Sequence, residues 1–389
     1  MMKIAVLFEG DIYHVRGEFM AIHNRMKYLV KAPDLSITIY VIQRYYDNFT
    51  NWIKGNKQIE LKRDFYLDGI HYNCLYYKRS YIDYFCRSIS KYQTTIEAHR
   101  VKHFGKLFFG FDLLFSHSLL TGLLALDLKQ KKGIPYVMMW HGSSIHTLPF
   151  ENTTTFSLTR KVLRSANHNF FVSNELFNIA KSIAGDDIIG SVSFNGVDTQ
   201  KYWKYPDSKK ISIAKEFHVD INKYNIAFIG NYLPVKNVKL LPKLFARIFQ
   251  DNKNVQFHIV GNGPFKDDFH DVDIPVRYWG NMSVDNMPDI YNCMNLIVLP
   301  SLNEGLPMTC LESLACGTAF VGSRVGGIAD VVGEENTVPH TISFETDFAD
   351  LCKKKISQYH SRDVTLSKKY DIKNIVDFEL SVFKNLLSS

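Results

Sequence analysis

At 389 residues the chain exceeds what one compact core usually supports, and about 100 to 200 residues per domain leads to an expectation of two domains. Its 46% hydrophobic, 14% aromatic and 22% charged content is that of a globular chain and argues against disorder, while the longest apolar runs, Leu119–Leu126 and Leu296–Leu299, fall well short of the roughly 20 residues that cross a bilayer. The net charge of +7 arises in the first half, where residues 1–200 carry 24 Lys and Arg against 17 Asp and Glu. The six cysteines, at 74, 86, 293, 310, 316 and 352, show neither CxxC pairing nor metal-ligand spacing with histidine, so a reducing cytoplasm is the expected location.

The opening MMKIAVLFEGD reaches an acidic pair after one short apolar stretch, which predicts a first strand over Lys3–Phe8 rather than a secretory signal. Further strands are expected near Ser36–Ile42, Phe111–Ser116, Tyr136–Trp140, His168–Val172 and Ser191–Phe194, with helical patterns between most of them. Between Lys78 and Lys106, seven basic residues (Lys78, Arg79, Arg87, Lys91, Arg100, Lys102, Lys106) face only Asp83 and Glu97. Within it Tyr81, Phe85, Ile89, Tyr92 and Ile96 recur at three- and four-residue intervals. As a helix this stretch presents an apolar stripe with basic flanks, suited either to an anionic membrane surface or to packing into the first domain. No nucleic-acid-binding motif accompanies the charge, so nucleic acid is not an expected partner. Trp140-His141-Gly142-Ser143 follows an apolar strand and puts His141 at a strand's carboxyl end, where parallel sheets bind ligands; the claim of His146 is weaker.

A polar stretch from Asp198 to Lys210, with Tyr205-Pro206-Asp207, reads as a linker. Beyond it a second series of strands is expected near Asn225–Gly230, Val255–Val260, Val276–Trp279, Asn295–Pro300 and Ala319–Gly322. Strands alternating with helices in both halves give the class α/β, with two doubly wound sheets facing a central cleft.

The stretch from Leu296 to Val332, LIVLPSLNEGLPMTCLESLACGTAFVGSRVGGIADVV, reads strand, loop, helix, strand and glycine turn. Pro307 suits the first helical position and Gly317 the stop. Glu304 then lies in the loop beside the free N–H groups of Leu306, Met308 and Thr309, which suit a phosphate or sugar oxygen. Glu312 falls about 7.5 Å further along the helix axis, a spacing that lets two carboxylates bracket a diphosphate and meet vicinal hydroxyls on a sugar and a ribose. The plainer alternative is that Glu304 favours the helix dipole and Glu312 is solvated.

This segment resembles the Glu-x7-Glu signature of the retaining glycosyltransferase family 4, whose members have the GT-B fold of two Rossmann-like domains. The resemblance extends to NGVDTQKYW (Asn195–Trp203), FIGNYLPVKN (Phe228–Asn237), HIVGNGP (His258–Pro264), VRYWGNM (Val276–Met282) and GGIADVV (Gly326–Val332), in matching order and spacing. It implies a retaining, metal-independent hexosyltransfer from a nucleotide-sugar, UDP-linked by preference, with no cofactor. It further implies that Glu304 holds hydroxyls of the transferred sugar, Glu312 the ribose, and Gly305, Leu306, Met308 and Thr309 the diphosphate and sugar. Gly261, Gly280 and Asn281 would belong to the donor pocket, the last two beside the base, and Lys236 would neutralise the diphosphate. Asn231 stands where the family usually has an arginine, and it brings a hydrogen-bond donor without charge.

In the first half, HVRGEF resembles the family's glycine loop, with Arg-Gly in place of Gly-Gly, so Gly17 alone is carried over. His141 resembles the family histidine near the transferred sugar. The expected boundaries are an acceptor domain at 1–204, a donor domain at 205–366 and a closing helix at 367–389 that crosses back to the first domain, as the fold implies. The expected acceptor is a glycan or a lipid-linked glycan, in cell-surface polysaccharide or lipid-linked glycan synthesis, met in the cytoplasm or at the inner membrane face. An epimerase or phosphorylase on the same architecture, or an inactive nucleotide-sugar-binding protein, are the alternatives.

Overall fold

A computed structural model describes residues 1–13, 17–46, 48–54, 60–79, 93–263, 273–358 and 364–388. The chain divides into two units, one formed by Met1–Phe194 with Ile375–Ser389 and one by Asn195–Asn374.

The first unit is built on strands β1 (Met2–Glu9), β2 (Leu35–Tyr46), β3 (Asp64–Leu67), β4 (Ile70–Arg79), β5 (Leu113–Ser116), β6 (Tyr136–Trp140), β7 (His168–Phe171) and β8 (Gly190–Val192). Their order is β3-β4-β2-β1-β5-β6-β7-β8. Ile4 to Phe8 and all of β5 and β6 are buried without alternation, as strands covered on both faces must be. Every pairing is parallel except β3 with β4. That hairpin was not expected from the sequence, although Asp68-Gly69, with φ of 48° and 76°, supplies the two left-handed residues of a tight hairpin turn. The strand order reverses between β1 and β5, which makes their carboxyl ends the switch point.

The second unit contains β9 (Tyr224–Ile229), β10 (Val255–Val260), β11 (Val276–Gly280), β12 (Leu296–Leu299), β13 (Ala319–Ser323) and β14 (Thr337–Val338), in the order β11-β10-β9-β12-β13-β14, all parallel. This is the dinucleotide-fold order, and its switch point lies between β9 and β12. The two-residue β14 was not expected, being too short to carry a periodic signal. The helix Leu241–Asp251 buries Leu241, Leu244, Phe245 and Ile248 on one stripe, with Phe245 stacked on Phe257 of β10 at 4.3 Å between ring centroids.

Three expectations are corrected. The first boundary falls at Phe194 rather than residue 204, because residues 195–205 are bonded into the second unit. Val197 bridges Asp371, and Asn292 donates its side-chain amide to the Trp203 carbonyl at 3.0 Å and accepts from the Tyr205 N–H at 2.8 Å. The end of the expected linker, Asp207–Lys210, opens a helix, Asp207–Glu216. Among the described residues, the basic stretch is not one helix: Lys78 and Arg79 end β4 opposite Tyr45 and Tyr46 of β2, and the helix Gln93–Val101 leads into a 3-10 turn over Lys102–Phe108. Strand pairing takes the Tyr-Tyr-Lys-Arg end of β4 in preference to a helical stripe, and Arg79 is buried with Glu97 at 3.5 Å. Tyr81, Phe85, Ile89 and Tyr92 lie outside the described residues.

The closing helix, Ile372–Ser388, joins the first unit from Ile375 onward. Phe383 packs on Phe115 and Phe378 on Phe170, with centroids 5.0 and 5.8 Å apart. Glu379, fully buried, accepts from Arg25 Nε at 2.8 Å and Ser193 Oγ at 2.6 Å, and Arg25 also donates to the Phe194 carbonyl. Among the described residues no helix is long and apolar enough to cross a membrane.

Candidate active site

In the second unit the loops that leave β9 and β12 meet at the switch point. Pro234–Lys236 forms a 3-10 turn after β9, and the Leu302 N–H, just past β12, donates to the Val235 carbonyl at 2.8 Å. That bond ties the two loops together and brings Lys236 Nζ to 2.5 Å from Glu304 Oε1. The carboxylate side chain is only 10% exposed and the lysine 22%, so the pair is shielded far more than a surface ion pair.

Glu304 leads into the helix Met308–Ala315. Pro307 caps this helix with extended ψ (131°) rather than occupying its first turn, as had been expected; its ring-fixed φ of −70° suits both positions, and ψ decides. Met308 and Thr309 are therefore the first helical residues, whose N–H groups lack intrahelical acceptors by helix geometry. The stop expected at Gly317 is seen, at φ 75°.

The loop is supported from behind. Gly327 N–H donates to the Gly305 carbonyl at 2.6 Å, and Asn195 Nδ2 donates to the Leu306 carbonyl at 2.8 Å. Gly326 has φ 57°, and a Cβ there would lie 2.3 Å from the Glu304 carbonyl oxygen, so only glycine fits under the loop. The Gly-Gly turn is legible in the sequence but its support of the loop is not, and nothing local in the sequence pairs Asn195 with Leu306.

Glu312 is neither solvated nor free. Tyr291 donates its hydroxyl to Glu312 Oε2 at 2.7 Å, with Tyr202 beside it. Burial raises the Glu312 pKa, opposed by the hydrogen bonds from Tyr291 and Tyr202. Neither tyrosine was singled out from sequence, since each meets Glu312 only through the fold.

Gly230, Gly261 and Gly280 converge at the ends of β9, β10 and β11. Gly261 N–H donates to the Gly280 carbonyl at 2.8 Å, and a Cβ on Gly261, at φ 127°, would lie 2.0 Å from the Gly230 carbonyl oxygen. Gly280 also has positive φ (68°), followed by exposed Asn281. Asn231 is half-buried just past Gly230. The structure thus joins Lys236, Glu304, Gly305 and Leu306 in one loop system and groups Gly261 with Gly280 on the neighbouring strands.

In the first unit, Gly17 precedes the helix Glu18–Leu29 at φ 54°, ψ −117°, a conformation open to glycine. His146 bonds Glu175 at 3.2 Å. His141 follows β6 directly, as expected, and its Nε2 lies 3.0 Å from Nδ1 of His117, which follows β5. Burial, with the Arg25 guanidinium acting in the same direction, holds both imidazoles well below the usual histidine pKa, so both are neutral near pH 7; His141 itself lowers His117 further. His117 was missed, although its place at the end of β5 was a readable signal.

The family model "Glycosyl transferases group 1" matches residues 223–358. The match lies wholly within the second unit. Among curated relatives, the putative teichuronic acid biosynthesis glycosyltransferase TuaC of Bacillus subtilis is 26% identical over 224 residues, covering 57% of this chain and 56% of the relative. Sulfoquinovosyl transferase of Arabidopsis thaliana is 23% identical over 251 residues, covering 61% and 48%. The match thus spans about half the length of these relatives. Two solved structures share the whole fold: sucrose-phosphate synthase from Thermosynechococcus elongatus, with TM-score 0.75 at 14% identity over 100% of both chains, and Anabaena HepE in complex with UDP, with TM-score 0.72 at 15% identity over 99% and 100%. The fold is GT-B, the arrangement known from glycosyltransferases.

Proposed function

We propose that this chain is a glycosyltransferase that moves a sugar, with retention of anomeric configuration, from a nucleotide-diphosphate donor to a glycan acceptor. The observation that carries the reading is the Lys236–Glu304 pair beside the first turn of the helix Met308–Ala315, at the switch point of a parallel sheet. As the glycosidic bond breaks, negative charge develops on the diphosphate. Lys236 and the helix N–H groups at that first turn stand ready to neutralise that charge, and Glu304 accepts hydrogen bonds from the sugar's hydroxyls. Glu312, oriented by Tyr291, accepts from the ribose. His141 hydrogen-bonds a hydroxyl or reaction-centre oxygen of the substrate. No step calls for a cofactor or metal ion.

A UDP-sugar is the favoured donor, in keeping with the UDP carried by the HepE structure. The relative named for teichuronic acid biosynthesis supports a polysaccharide as acceptor; a lipid-linked glycan met at the inner membrane face belongs to the same proposal. The test is a thermal-shift screen of UDP-, GDP- and ADP-sugars, followed by product analysis with and without acceptor and by NMR of the product's anomeric configuration. Product formed without acceptor would point to an epimerase, and an inverted linkage or full loss of activity in EDTA would overturn the mechanism. Binding without turnover is the one rival a specific residue favours: Asn231, uncharged where the family has arginine. Membrane contact is tested by flotation with anionic liposomes after Lys78, Arg87 and Lys91 are changed to Gln; Arg79 is left out because it is buried.

A further inference from the structure

His117 and His141 stand at the carboxyl ends of adjacent parallel strands, one residue past β5 and β6, whose register pairs Ser116 with Met138. Their rings lie within 15° of coplanar, with centroids 5.3 Å apart and Nδ1 of His117 3.0 Å from Nε2 of His141. A centroid distance equal to the hydrogen bond plus the radius of each ring means that the imidazoles meet end to end across the bond rather than face to face. His117 is fully buried, packed against Phe115 and Phe8 with centroids 4.2 and 6.4 Å away, and its backbone N–H is bonded to the Leu7 carbonyl. His141 keeps 9% exposure. Among the described residues, Nε2 of His117 and Nδ1 of His141 have no hydrogen-bond partner.

Each neutral imidazole carries one N–H, and a single proton sits in the bond between the rings, so the two tautomers are locked together. If His141 Nε2 donates, His117 must carry its own proton on Nε2, a buried N–H without an acceptor. If His117 Nδ1 donates, the atom left over on His117 is a lone pair, and His141 carries its proton on Nδ1, an N–H likewise without a partner but on the ring that keeps 9% exposure. Native proteins rarely leave a buried N–H orphaned, and only the N–H on His141, the ring with residual exposure, can be given its acceptor by a ligand. We infer that His117 is a positioning residue that donates from Nδ1 to His141 Nε2 and thereby fixes His141 as a hydrogen-bond donor, through Nδ1–H, toward a substrate oxygen. The inference deepens the proposed function and rests on its placing of His141 against the substrate. It assigns His117 no contact with substrate, and it makes the recognised atom an acceptor, such as a hydroxyl or carbonyl oxygen. Among the described residues Arg25, itself paired with Glu379, bears on both rings and disfavours a second proton on either imidazole.

The experiment is a long-range 1H–15N correlation spectrum of the full chain with 15N-labelled histidine, His141 being assigned from His141→Gln. The expected result is a His141 ring protonated on Nδ1 alone, with Nε2 at the position of an acceptor, and a mixture of tautomers in His117→Phe. A His141 ring protonated on Nε2, or a wild-type mixture, overturns the inference, and so does a His117→Phe spectrum identical to wild type. The wild-type spectrum decides even where that variant fails to fold. The spectrum needs no substrate, so it fails or holds independently of the transferase reading. Once turnover of a nucleotide-sugar is in hand, kcat should fall about tenfold or more in His117→Phe. It should recover in His117→Asn, whose amide can donate from the same place, with the donor KM little changed in either. Equal kcat in the two variants overturns the role.

Discussion

Lys236 Nζ lies 2.5 Å from Glu304 Oε1, so the cation that the family resemblance assigns to the diphosphate and the carboxylate it assigns to the transferred sugar form a single ion pair. The pair holds the lysine ready beside the helix start, and a diphosphate must compete with Glu304 for it. Lys236→Met should therefore lower kcat by about 100- to 1,000-fold, the usual cost of one lost donor to a developing charge. Steady-state kinetics with a UDP-sugar would check this, and a variant within threefold of wild type would remove Lys236 from the mechanism.

Tyr291→Phe tests how Glu312 is held. The hydroxyl at 2.7 Å orients a half-buried carboxylate, and losing a hydrogen bond to a charged group costs about 1.5–3 kcal/mol. Nucleotide affinity, measured by calorimetry with UDP, should weaken about tenfold or more while the protein stays folded; unchanged affinity would show that Tyr291 serves packing alone.

Gly326→Ala should damage both stability and binding. The new Cβ would meet the carbonyl oxygens of Glu304 and Gly305 at 2.3 and 2.5 Å, at a φ of 57° that alanine tolerates poorly. Strain of this kind costs about 1–3 kcal/mol. A lowered melting temperature together with loss of the nucleotide-induced thermal shift is expected, whereas Gly110→Ala, where a Cβ meets nothing within 4 Å, serves as the control.

The buried Arg25–Glu379 pair fastens the closing helix to the first unit. Glu379→Ala leaves a buried guanidinium uncompensated and should destabilise the protein by about 3–5 kcal/mol in urea unfolding. Arg25→Met combined with Glu379→Leu should recover much of that loss, because the pair's desolvation cost disappears with its attraction. A double variant no better than the single one would contradict this account.

His258 gives a pH dependence with a defined sign. Its Nε2–H bonds Asn225 Oδ1 at 2.8 Å and its Nδ1 accepts from Trp279 Nε1 at 3.2 Å, so a second proton has no place to go. Burial, with Arg277 nearby, lowers its pKa to about 3. The unfolded chain binds this proton near pH 6.5 and the folded one does not, so the contribution is fully present above pH 6.5 and fades as pH falls toward 3, at about 1.4 kcal/mol per unit. His258→Gln should be less stable than wild type at pH 7.5, and the gap should narrow by roughly that slope below pH 6.5. A constant gap in chemical denaturation from pH 7.5 to 5 would refute it.

What the sequence determined by itself is local. Buried runs such as Ile4–Phe8 and Leu296–Leu299 announce parallel strands because burial on both faces removes polar alternation. The Glu304-to-Gly317 stretch announces a loop leading into a short helix because a proline and a glycine stop act within a few residues of one another. Tertiary structure decided what those signals meet. Strand order alone places the loops after β9 and β12 side by side and joins Lys236 to Glu304 across 68 residues, and it sets His117 against His141 on adjacent strands. It also slides Gly326 beneath the Glu304 backbone and brings Tyr291 to Glu312. Periodicity and turn chemistry record the conformation of a segment; they do not record which distant segment will supply its hydrogen-bond partner, because that is set by the packing of the whole sheet.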